Sequence, residues 1–181
     1  MNKREGGVFQ NVDPFGGGTS PGSATPWAPG LALIGFVGLC LLVDASNAAI
    51  TAGSGAWYAS LTAPPGTPPS WLFAPVWTML YVLMGLAAWL VWRKPGHRRP
   101  LLLWGWQLLV NALWSPAFFG FHRPLLALGV VIVLVVLICL TTAAFARRRK
   151  IAALLMLPYL LWTCYATYLS AGFWWLNSGL G

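Results

Sequence analysis

Acidic side chains are almost missing from this chain. Glu5, Asp13 and Asp44 are the only ones in 181 residues, and charged residues of both signs make up 8%. Soluble domains carry about a quarter, so water cannot cover most of such a surface. Two of the three acids lie near the N-terminus, which removes any paired-carboxylate acid–base mechanism. Histidine is as scarce. His97 and His122 fall in predicted loops on opposite sides of the apolar segments, whereas a metal centre needs several converging ligands. Each reads more simply as a solvated loop histidine than as an iron ligand of haem. Cys40, Cys139 and Cys164 lie inside apolar runs without a CxxC pair and read as small buried hydrophobes. There is no CxxCH and no glycine-rich phosphate loop. Hydrolytic and nucleotide-dependent catalysis are set aside, and no resident metal or cofactor is required.

What is present is apolar sequence, at 58% of the chain. A tail at residues 1–28, rich in Gly, Pro, Ser and Asn, reads as disordered. Five apolar segments follow, at about 29–52, 71–92, 101–121, 125–145 and 151–175. Each reaches the roughly 20 residues that cross about 30 Å of hydrocarbon. Backbone groups in lipid must pair within their own segment, so each is a helix. The predicted fold class is therefore all-α, an integral membrane bundle of five transmembrane helices.

The net charge of +8 does not mark a nucleic-acid binder, because the eleven Lys and Arg form no stripe on a polar face. Ten of them (Lys3, Arg4, Arg93, Lys94, Arg98, Arg99, Arg147, Arg148, Arg149 and Lys150) fall on one side of a five-span layout, and only Arg123 falls on the other. This asymmetry predicts a cytoplasmic N-terminus and a C-terminus on the far side. The connection at 53–70 is long and uncharged, with Pro64, Pro65, Pro68 and Pro69 fixing much of its backbone. An ordered loop of that length in a compact bundle is expected to act as a lid.

Twelve tryptophans are the other excess. Trp57, Trp71, Trp92, Trp174 and Trp175 lie near span ends, where interfacial belts form. Trp77 lies deeper, with Tyr81 and Met84 on its helical face. Trp114 shares a face with Gln107 and Asn111. Trp162 has Ala166, Leu169 and Ser170 at helical spacing below it. Large rings beside small residues leave room for a guest that buried amides can orient; a filled bundle core is the plainer alternative for any one of them. Asp44, the one acid within a span, shares a face with Asn47. It either faces a cavity or sits where the helix has already reached the interface.

The run WYASLTAPPGTPPSWLFAPVWTMLY at 57–81 resembles the signature loop and second helix of the tryptophan-rich sensory protein (TspO) and translocator protein family. WQLLVNALWSPAFFGFHR at 106–123, LPYLLW at 157–162 and ATYLS at 166–170 resemble its later motifs. The resemblance implies a five-helix bundle, often a homodimer, that binds tetrapyrroles such as protoporphyrin and haem in a cavity under the first loop. Animal members also bind sterols and benzodiazepine-site ligands. Matched by motif, the ligand-binding positions are Tyr58, Trp77, Asn111, Trp114, Trp162, Ala166 and Leu169. Two departures stand out. Gly66 replaces the loop tryptophan and Ala63 a common lysine, which predicts a looser lid. No basic residue follows Lys150, so the proposed cholesterol motif is absent.

The resemblance implies a tetrapyrrole receptor or sensor in a bacterial membrane. Two alternatives stay open. One is a transporter of porphyrins or lipids, although no inverted repeat is visible. The other is a light-dependent porphyrin-degrading enzyme, in which Trp77 and Trp162 would serve as electron donors.

Overall fold

The computed structural model describes residues 27–178; the expected tail at 1–28 lies, except for its last two residues, outside them. The described chain is helical and contains no strand. Its elements are α1 (Ala28–Ala52), α2 (Gly55–Ser60), α3 (Ser70–Trp92), α4 (Arg98–Ser115), a π-helical turn (Pro116–Gly120), α5 (Pro124–Ala146) and α6 (Lys150–Asn177). This is the all-α bundle expected of a chain whose backbone must satisfy itself within each segment. The long helices close a ring in the order α1, α3, α6, α5, α4, with α4 returning to α1.

Four of the helices, α1, α3, α5 and α6, are long and apolar enough to cross a membrane. The third expected span differs in make-up. It begins on Arg98 and Arg99, and its buried face carries Gln107, Asn111 and Ser115. Its α-helical part ends after 18 residues, and a π-helical turn of 5 more continues it. At about 1.5 Å per residue the two together reach the roughly 30 Å of a hydrocarbon core. Its lower apolarity comes from the exposed Arg98 and Arg99 at its start and from Gln107, Asn111 and Ser115, which face the bundle interior.

Burial follows from that environment. Of the 25 residues of α1 only Cys40 is buried, and its Ile34 and Leu42 face outward, as do Ile132 and Val136 of α5. Apolar residues facing out are the expected lipid contact. The main core is built from Leu80, Met84, Ala87, Ala88, Leu134, Ile138, Phe145, Met156 and Tyr159. Lipid supplies no hydrophobic drive between helices, so close packing must. At α1–α3 the packing is tight at Gly85, where an added Cβ would lie 2.7 Å from the Val37 Cα.

Two features depart from the expected outline. The lid at 53–70 is not free of secondary structure, since it carries α2. Trp57 on α2 is turned inward rather than belonging to an interfacial belt: its ring packs edge-on against Phe118 at 5.6 Å and stacks on His122 at 4.3 Å. Trp71 and Trp175, by contrast, are about three-quarters exposed, as belt residues are.

Candidate functional site

The interior of the bundle near the lid is hollow. A cavity of about 410 Å³ is bounded by α1, α3, α4, the π turn, α5, α6 and the lid helix α2. Small-molecule sites typically enclose about 300–1,000 Å³. All seven positions singled out in the sequence (Tyr58, Trp77, Asn111, Trp114, Trp162, Ala166 and Leu169) line this one space. Helical spacing explains the convergence. Trp162, Ala166, Leu169, Ser170 and Phe173 follow one face of α6, and Asn111, Trp114 and Ser115 one face of α4.

The floor is a polar chain. The Asn47 amide donates to the Tyr81 hydroxyl at 3.0 Å, and Tyr81 donates a short hydrogen bond to the Asn111 carbonyl oxygen. The Asn111 amide donates to the Tyr159 hydroxyl at 2.7 Å. Four helices are thereby joined through four side chains. Gln107, one turn earlier on α4, does not reach the cavity; its amide lies 3.0 Å from the Met84 sulfur, and its oxygen is buried without a partner.

The walls are aromatic. Trp77 lies 5.9 Å from Tyr81, and Phe73 lies edge-on to Trp162 at 6.1 Å. Trp114 stacks on Phe118 at 5.5 Å with 18° between planes. Phe118 and Phe119 reach the cavity because Pro116, which has no N–H to give, starts a turn that closes five residues on, with Phe121 N–H donating to Pro116. Sequence spacing did not place these two rings, although a proline inside an apolar helix was the available signal. The Trp114 and Trp162 indole N–H groups and the Ser170 hydroxyl are buried without a hydrogen-bond partner. Buried donors are seldom left unpaired, and Trp104, Thr141 and Thr142, which do not line the cavity, carry unpaired donors as well.

The lid is fastened to α6. Tyr165 donates to the Gly66 carbonyl at 2.5 Å and Tyr168 to the Pro65 carbonyl at 2.9 Å. The Asn177 side chain accepts from Thr62 N–H at 2.9 Å and donates to the Thr62 carbonyl at 3.0 Å. Gly66 has φ +81°, a conformation that suits glycine. Burial, and secondly the nearby Tyr165 phenol, raise the Tyr58 phenol above its ordinary pKa, so it remains a neutral donor.

Asp44 and Asn47 both face the cavity, and α1 continues eight residues beyond Asp44. Neither histidine lines the cavity. His97 lies 2.9 Å from the Lys94 carbonyl at the opposite end of α3, and His122 stacks on Trp57.

An all-helical membrane protein enclosing an aromatic cavity beneath a proline-rich, tyrosine-fastened loop is the class that fold and cavity define. Residues 36–176 match the model of the TspO/MBR family. The chain is 40% identical to the tryptophan-rich protein TspO of Chlorobaculum tepidum over 139 residues, covering 74% of this chain and 88% of that protein. It is 36% identical to the translocator protein of Bos taurus over 157 residues, covering 83% and 91%. To the tryptophan-rich sensory protein of Cereibacter sphaeroides it is 41% identical over 114 residues, covering 63% and 72%. The chain belongs to the TspO/MBR family, and it is a multi-pass membrane protein.

Proposed function

We propose that this protein is a membrane receptor that holds a tetrapyrrole, a porphyrin or haem, in the cavity under the lid. The observation that carries the reading is the convergence of Trp77, Trp114 and Trp162 on one space with Asn111 and Tyr58. A porphyrin is a flat aromatic disc, and indole rings bind such a face through offset or edge contacts worth about 0.5–1.5 kcal/mol each beyond area burial. No histidine lines the cavity, so the ring system rather than an iron–imidazole bond would hold the guest.

The test is titration of the detergent-solubilised protein with protoporphyrin, followed by tryptophan quenching. Saturable binding should weaken about tenfold or more when Trp77→Phe and Trp162→Phe are combined. Saturable binding that the pair leaves unchanged would remove the guest from this cavity.

A further inference from the structure

Among the described residues the cavity has one charge, and it is negative: Asp44 lines it, and no Lys, Arg or His does. The carboxylate sits half-buried at the seam of α1 and α3 and accepts one hydrogen bond among the described residues, from the Thr78 hydroxyl at 2.7 Å. Asp44 is eight residues from the end of α1, which at about 1.5 Å per residue places it about 12 Å inside the helix end. Charged groups at such positions are costly and pair with a partner or face a cavity. Here the described residues supply the cavity and no cation. The other polar groups nearby are already committed: Asn47, one turn on, donates to Tyr81, and Tyr81 donates to Asn111. Trp77 and Tyr81 flank Thr78 on α3 and line the same space, presenting ring faces that attract cations.

We propose that Asp44 makes this cavity selective for a ligand bearing a protonated amine, with the ammonium on the Asp44 carboxylate and the ligand's flat apolar body between Trp77 and Trp162. The inference rests on the reading that the cavity takes a flat aromatic guest, and it adds a charge requirement that tryptophan stacking does not impose. A carboxylate-bearing guest must turn its acidic groups away from Asp44, whereas an aromatic amine gains a charge-assisted hydrogen bond at that point. The depth of Asp44 favours an amphiphilic aromatic amine over the headgroup of a bilayer lipid, which stays at the interface.

The experiment uses the full chain in a non-ionic detergent and three probes of one shape: 9-(aminomethyl)anthracene, 9-(hydroxymethyl)anthracene and anthracene-9-carboxylate. Energy transfer from tryptophan to anthracene reports binding. The amine should bind about tenfold or more tighter than the alcohol, and the carboxylate weakest. In Asp44→Asn the amine and alcohol should bind within about twofold of each other, and protoporphyrin should bind more tightly. Thr78→Val keeps the charge and removes its hydrogen bond, so it should preserve the amine preference and supply a result if the Asn variant fails to fold. Equal binding of amine and alcohol to the wild type, or an amine preference that survives Asp44→Asn or vanishes in Thr78→Val, overturns the proposal. Protoporphyrin binding without amine preference would leave the tetrapyrrole reading standing alone. Amine preference without protoporphyrin binding would leave only the charge selectivity.

Discussion

The Tyr165 hydroxyl reaches the Gly66 carbonyl across 99 residues of sequence, at 2.5 Å. It ties the turn of the lid to the helix that also carries Trp162, Ala166 and Leu169. Movement of the loop is thereby linked to the cavity wall. A net hydrogen bond of this kind is worth about 0.5–1.5 kcal/mol. Tyr165→Phe should therefore leave the fold intact and speed ligand release by about two- to tenfold. Stopped-flow recovery of tryptophan fluorescence after dilution measures it.

Gly172 lies beneath the same loop. A Cβ there would stand 2.5 Å from the Pro64 Cβ and 2.8 Å from its Cγ. A pyrrolidine ring has little freedom to yield, so Gly172→Ala should lift the loop as a unit. The expected result is faster proteolytic cutting within residues 62–68, with the long helices still resistant. Limited proteolysis followed by mass spectrometry reads this directly.

Helix packing makes a sharper contrast between two glycines. At Gly85 an added Cβ meets the Val37 backbone at 2.7 Å, whereas at Gly105 it meets nothing within 4 Å. Gly85→Ala must push α1 from α3 and should destabilise by about 1–3 kcal/mol. Gly105→Ala should leave the melting temperature unchanged or raise it, since alanine favours helix over glycine. Thermal denaturation of both variants in one detergent makes the comparison.

Asn111→Ala removes the acceptor of Tyr81 and the donor to Tyr159 together, leaving two buried hydroxyls short of a partner. The expected loss is about 1–3 kcal/mol. Tyr159→Phe in the Asn111→Ala background should cost much less than it does alone, because the bond it breaks is already gone. A double-mutant cycle by denaturation checks the coupling; additive losses would show that the amide and the phenol do not interact.

How much of this was legible beforehand depended on periodicity. Segment lengths and the placement of Arg93, Arg123 and Arg147 set out the helices, because lipid admits few alternatives to a helix. Spacing of three and four residues placed Asn111 with Trp114 and Trp162 with Ala166, because both pairs lie within regular α-helix. Phe118, four residues after Trp114, was open to the same count and was passed over, whereas Phe119 falls off that spacing and reaches the cavity through the Pro116–Gly120 turn. The short α2 lacked the length for a periodic signal, and Trp57 looked interfacial because its inward turn depends on Phe118. Tyr165 and Tyr168 were hidden for another reason. Their partners are backbone carbonyls at Gly66 and Pro65, and a carbonyl leaves no mark in a sequence.

The Asn47–Tyr81–Asn111–Tyr159 chain has a consequence for how the protein is made. Its members appear during synthesis in the order α1, α3, α4 and then α6. Until α6 arrives, the Asn111 amide hydrogens have no Tyr159 to accept them, and a polar group waiting in hydrocarbon is costly. The arrival of α6 therefore completes the bond network as well as the ring of helices. A chain stopped short of Tyr159 would leave the Asn111 amide without that acceptor.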